Sequence, residues 1–327
     1  ALLCSIGSGG AKAVAEGLFE DAYPVTIQAE GGEETGYPDF AAAFRAADEL
    51  STTDNKAVAV KLYAATMITE LLEVSAGADI TLDLNGYAFR RRNQRVKTDT
   101  FNIPLPVKHE GDPGQLFEID GSLTLNDSRP DRIHTNADRT AIGVPLYTKL
   151  PSGGAIVGGY RIRTDEDVND HLPSSILDQA YGFIEINGGG ALTMNGGTFA
   201  GNSGEGNGGD MNPTVLIAVK GTYIKDGEIV RVPATFTMNG GEITGNYFHN
   251  IVTGHNLTAD FKPGASFFMN GGRITGNGIY CWDKTTVGYI TITRDYMYSD
   301  EWTAVDAVRV KTILSGDAYI YGNYYSA

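Results

Sequence analysis

Phe236-Thr-Met-Asn-Gly-Gly-Glu-Ile-Thr-Gly-Asn246 is one of three copies of a single phrase. It stands upstream as Leu192-Thr-Met-Asn-Gly-Gly-Thr-Phe-Ala-Gly-Asn202 and downstream as Phe267-Phe-Met-Asn-Gly-Gly-Arg-Ile-Thr-Gly-Asn277. Each copy holds two short alternating segments, split by Asn-Gly-Gly and closed by Gly-Asn. Alternation of apolar and polar residues marks strands, and Gly and Asn tolerate the positive φ of tight corners. A unit this small cannot bury its apolar face alone, so its copies must stack.

Reading outward, similar corners fall at Asn85-Gly86, Asn126-Asp127 and Ser315-Gly316, beside those at Asn195, Asn239 and Asn270. A third strand fits each unit at Leu116–Asp120, Gly182–Asn187, Thr214–Val219, Asn250–Gly254 and Gly278–Trp282. Three short strands with corners need roughly 20–30 residues. Most of the spacings are longer, so insertions are expected at 127–150, 160–179, 203–213 and 285–307. The expected fold is all-β, a stack of about six three-stranded coils over residues 66–327. Within it, Tyr223–Ala234 reads as a hairpin turning at Asp226-Gly227.

Residues 1–65 read differently, as a small N-terminal α/β cap. Ala11–Glu20 is a helical candidate, Tyr23–Gln28 a strand, and Pro38–Leu50 a helix whose Phe40, Phe44, Ala47 and Leu50 form one apolar stripe. Ala57–Ala64 alternates like a strand. A stack of strands leaves an open end that must be covered, and the stripe is expected to lie on the first coil.

The composition excludes several classes of function. The 327 residues include 42 Gly, and 40 acidic against 25 basic residues give a net charge of −15. Such a surface repels nucleic acid and anionic membranes, and no apolar run is long enough to span a bilayer. Cys4 and Cys281 are too few for a disulfide framework, and whether they bond is left open. Neither a zinc spacing nor a Ser-His-Asp order stands out, and Gly204–Gly209 lacks the Lys and helix of a phosphate loop.

Met238–Asn246 and Met269–Asn277, with Ile80–Tyr87 and Ser152–Gly159, resemble the right-handed parallel β-helix repeat proteins of bacterial cell surfaces. The likeness covers roughly residues 57–323 and rests on corner and core residues. It implies a right-handed parallel β-helix that is extracellular or held at the cell surface. That architecture is similar to pectate-lyase-like enzymes and also to adhesins, so the resemblance leaves activity open.

Three sets of residues are candidates for function. Asp165, Asp167, Asp170 and His171 lie on one acidic insertion, where carboxylates can bind Ca²⁺ or serve as the acid and base of a polysaccharide lyase or glycoside hydrolase. Arg90, Arg92 and Arg95 can contact anionic sugars through bidentate hydrogen bonds, with a solvated corner as the plainer role. Tyr296, Tyr298 and Trp302 can stack on sugar rings or fasten their insertion to the coil. Asn195, Asn239 and Asn270 read as a structural ladder of corner amides in the left-handed conformation. On the second strand of each repeat, Thr198, Glu242 and Arg273 are expected outside in one row, with Ala200, Thr244 and Thr275 beside them. The expected function is an adhesin-like module recognising glycan. An enzyme acting on complex carbohydrate is the rival, and a structural spacer is the third reading.

Overall fold

The computed structural model describes residues 23–93, 114–147, 149–161, 181–204, 214–219, 222–225, 228–246, 249–253, 265–277, 279–280, 286–287 and 311–321. Three parallel sheets dominate. The first runs Ala57–Leu62, Asp79–Asp83, Ser122–Asn126, Ala191–Met194, Ala234–Met238, Ala265–Met269 and Lys311–Leu314. The second runs Thr66–Ile68, Ala88–Arg91, Ala155–Val157, Thr198–Ala200, Glu242–Thr244, Arg273–Thr275 and Tyr319–Tyr321. The third runs Leu72–Val74, Phe117–Ile119, Tyr181–Ile186, Thr214–Val219 and His249–Thr253. From Asp79 to Thr253 the chain visits first, second and third sheet in that order, four times over.

The repeated phrase sets the register. Leu123, Leu192, Phe236 and Phe267 align across the first sheet, as do Leu125, Met194, Met238 and Met269. In the second sheet Phe89, Ile156, Phe199, Ile243 and Ile274 form the matching row. All of these residues are buried, in one continuous core. Because side chains alternate across a strand, a slip of one residue would turn such a row to solvent. Phe236 and Phe267 lie nearly parallel with centroids 5.0 Å apart, so identical positions also stack ring on ring.

The N-terminal end of the first sheet is closed by antiparallel pairing. Val25–Ala29 joins Ala57–Leu62, and Thr35–Tyr37 joins its outer edge. Helix α1, Phe40–Asp54, starts at Asp39, whose carboxylate accepts from the Ala42 amide, and stops at Asn55 in the left-handed conformation. It buries Phe40, Phe44 and Ala47 and leaves Leu50 partly covered. Phe40 meets Phe89 at 5.2 Å and Phe44 meets Phe117 at 5.7 Å, so one helical stripe packs on rings from the second and third sheets.

Two local expectations need correction. Ile279–Tyr280 does not extend the third sheet but pairs antiparallel with Thr286–Val287, since a close partner along the chain can be reached with little loss of loop entropy. The corner asparagines Asn195, Asn239 and Asn270 are not left-handed. The positive φ falls on the second glycine of each corner, +81° at Gly241 and similar at Gly197 and Gly272. Glycine takes that conformation without the Cβ clash that asparagine would meet. The expected hairpin is present, with Thr222–Lys225 antiparallel to Glu228–Arg231. The helical candidate Ala11–Glu20, Cys4 and Cys281 lie outside the described residues.

Candidate functional site

The outer face of the second sheet changes character along its length. At its N-terminal end it is covered by the insertion after Asn126. Asp127 anchors this segment by accepting from the Gly86 and Gly154 amides, both at 2.7 Å. A short helix α2, Asn136–Ala141, follows a capping box in which Thr135 and Asp138 bond each other's backbone. Arg132 holds Asp138 through both terminal nitrogens, at 3.0 and 3.2 Å, and its guanidinium carbon lies 3.8 Å from the centre of the Tyr87 ring. Burial alone would push the Asp138 carboxyl up, but hydrogen bonds from Arg132 and Thr135 hold it below the ordinary carboxylate value.

Arg90 belongs to this cover and not to an exposed glycan contact. It is 1% exposed and donates to the carbonyls of Gly158, Ile142 and Gly143. The reason is geometric. Phe89 points into the core, so Arg90 faces outward, and the insertion lies over it with carbonyls that need donors. Arg92 is half-buried beside it, with its amide bonded to the Ile68 carbonyl. Arg95, Tyr296, Tyr298, Trp302 and the acidic set Asp165, Asp167, Asp170 and His171 all lie outside the described residues. Among the described residues no three His, Cys, Asp or Glu side chains gather to hold a metal ion. Nor is any described helix long and apolar enough to cross a membrane.

Beyond the cover the described outward side chains of this face become progressively more exposed, from Thr198 at 8% to Tyr321 at 69%. Register places Thr198, Glu242, Arg273 and Tyr319 in one outward row, with Ala200, Thr244, Thr275 and Tyr321 in the next. Neighbouring strands lie about 4.8 Å apart, so each row is a short line of adjacent side chains. Glu242 accepts from Thr275 at 3.0 Å and faces Arg273 at 3.5 Å, and the Thr275 oxygen lies 3.2 Å from the Thr244 hydroxyl, from which it can accept. The Glu242–Arg273 pair is open to water and contributes about 0–1 kcal/mol, which leaves the guanidinium able to take other acceptors. Tyr319 and Tyr321 are 49% and 69% exposed, with ring centres 6.0 Å apart and planes tilted by 34°.

This face joins an aromatic platform to a carboxylate, a guanidinium and two hydroxyls. Aromatic faces take the apolar side of a sugar ring, and flanking polar groups take its hydroxyls. Among the described outward positions of the sheet, Glu242 is the single carboxylate, whereas glycoside hydrolysis uses two acids about 5–9.5 Å apart. The sequence pointed to the Glu242 and Arg273 rows but not to the tyrosines. Their signal was present in the alternation Tyr319-Ile320-Tyr321, where Ile320 packs against the core and both neighbours must face out.

The asparagines form two ladders, of which the sequence suggested one. Asn195 donates to Asn126, Asn239 to Asn195, and Asn270 to Asn239, at 2.8–2.9 Å on the exposed side of the first corner. The second ladder, Asn202, Asn246 and Asn277, is wholly buried at the Gly-Asn corner. The chain matches no known family model, no curated protein and no solved structure.

Proposed function

We propose that this chain is a right-handed parallel β-helix of about six coils and the glycan-recognising module of a bacterial cell-surface or secreted protein. Its sugar lies on the outward face of the second sheet. The winding is supported by the ordered passage through three sheets, together with the in-register stacking of the repeated phrase. The binding role is carried by one observation: two adjacent exposed tyrosines continue the rows that hold Glu242, Arg273 and Thr275. A ring seated on Tyr319 or Tyr321 would have donors and acceptors one and two strands away.

The test is retention of the purified chain on a panel of immobilised polysaccharides, with and without Ca²⁺, while released reducing or unsaturated ends are assayed. Retention without product, lost in Y319A/Y321A, is the expected result. Product release would make the chain an enzyme and overturn the binding reading. Retention that survives Y319A/Y321A would move the site elsewhere, and no retention on any glycan would leave a spacer.

A further inference from the structure

The insertion over the second sheet buries a histidine that it does not satisfy. His134 is 6% exposed, and neither Nδ1 nor Nε2 makes a hydrogen bond. A neutral imidazole always carries one N–H donor and one acceptor nitrogen, so two polar atoms are enclosed without partners. Such a residue is tolerated only while it is uncharged.

The charged groups acting on His134 are Asp138 and Arg139 of α2 and Arg132 of the preceding loop. The single carboxylate among them is already committed. Asp138 accepts from both terminal nitrogens of Arg132 and from the Thr135 amide and hydroxyl. A proton added to His134 would place a third cation beside Arg132 and Arg139, and Asp138 is the one carboxylate acting on it. The Gly153 backbone also favours the cation, less than Asp138 does and more than Arg139 opposes it.

We propose that residues 127–147 are an acid-released cover, which protonation of His134 lifts from the second sheet to bare Ala88–Arg91 and Ala155–Val157. The segment is held by Asp127 on two amides, Ser128 on Asp83 and Asn85, and Arg129 and Arg132 on the carbonyls of Asn85 and Gly86 and on the Tyr87 ring. The Gly153 amide on the Arg132 carbonyl, Arg90 on the carbonyls of Ile142 and Gly143, and the burial of Ile142 and Val144 add further anchors around the buried imidazole. Burial, then the two arginines, outweigh Asp138 and hold the His134 imidazole below its ordinary value. Closing the cover therefore releases a proton. Closure is favoured above the ordinary imidazole value near 6.5 and is lost progressively as pH falls beneath it. Opening would lengthen the exposed face of the second sheet.

Amide hydrogen exchange on the full chain at pH 7.5 and 5.5, corrected for intrinsic rates, tests this. The chain has five histidines, so the comparison is made beside H134F, which isolates the His134 imidazole. The Gly153 amide, bonded to the Arg132 carbonyl beneath the cover, is expected to exchange up to about tenfold faster at pH 5.5, the ceiling for one imidazole. Amides of Ala191–Met194 report the core and are expected not to change. H134F is expected to abolish the pH dependence while keeping the neutral-pH protection. Equal protection at both pH values in the wild type, or an undiminished pH response in H134F, would overturn the proposal. Should H134F fail to fold, H134Q replaces it, and the wild-type His134 ring resonances must titrate in step with Gly153 exchange. Titration out of step would equally overturn it.

Discussion

Asn246 and Asn277 are 31 positions apart, yet the Nδ2 of one donates to the Oδ1 of the other at 3.0 Å, entirely inside the protein. Asn246 also donates to the carbonyl of Phe199 at 2.8 Å, and its Oδ1 accepts from the amide and side chain of Asn202. One side chain thus binds three successive repeats together. Substituting it leaves buried carbonyls and an amide without partners. N246A is expected to cost about 2–4 kcal/mol, read as a lower denaturant midpoint. N246D, close in shape but unable to donate, is expected to be no better than N246A.

The exposed ladder is the weaker of the two, because water can replace its bonds. N239L removes one donor to Asn195 and one acceptor for Asn270. A loss of about 0.5–1.5 kcal/mol is expected. A thermal melt should fall by a few degrees before retention on glycan changes. If N239L instead abolished retention with an unaltered melt, the ladder would be a ligand contact.

Two glycines separate strain from collision. Both Gly241 and Gly201 have positive φ, but an added Cβ at Gly241 would stand 2.5 Å from the Gly197 carbonyl oxygen, while at Gly201 nothing lies within 4 Å. G201A should cost about 1–2 kcal/mol for the left-handed backbone alone. G241A adds a clash with backbone that cannot yield and is expected to be clearly more destabilising in the same unfolding titration.

On the outward face, Y319A and Y321A are each expected to weaken glycan retention by about tenfold or more, with little change in melting temperature because both rings are exposed. R273Q tests the polar arm of the site. If the bound sugar carries an acidic group, R273Q should weaken it far more than a neutral analogue. Equal loss for both would assign Arg273 to hydroxyl recognition.

Acid should act on the cover a second time, through Asp138. Its carboxyl titrates below the ordinary value, so its contribution is complete above the unfolded carboxyl range near 4 and disappears as pH falls through the lowered native value. In the wild type, exchange at Gly153 is expected to accelerate again below about pH 4. D138N, which keeps the shape but not the charge, should lose that step and open more readily at neutral pH, since Arg132 would lose its ionic partner.

Much of the architecture was legible in the sequence because the repeat spells out both faces of each strand. Phe199, Ile243 and Ile274 alternate with Thr198, Glu242 and Arg273, so core and surface rows follow from period two alone. The α1 stripe was readable for the same reason at a period of 3.6. Other features depend on what an insertion does after the strands have stacked. A run of arginines at 90–92 looks like a charged surface until carbonyls from residues 142–143 and 158 descend on Arg90, and no local pattern announces that. The buried Asn202–Asn246–Asn277 ladder was hidden in plain sight: its Gly-Asn looked like a corner, and only burial shows that the amide turns inward. His134 gave no signal at all, since its isolation is a property of the folded cover.

The chain between successive steps of the exposed ladder is 69, 44, 31 and 45 residues long, yet every step closes at 2.8–2.9 Å. Contour length and spatial pitch are therefore independent variables in this protein. Lengthening a flexible connection adds only a logarithmic entropy cost, while the amide bonds that fix pitch do not sense it. Excursions such as the histidine-bearing cover therefore differ in length from repeat to repeat while the ladder keeps one spacing. The molecule behaves as a ruler with fittings of unequal size, whose metric stays constant from step to step.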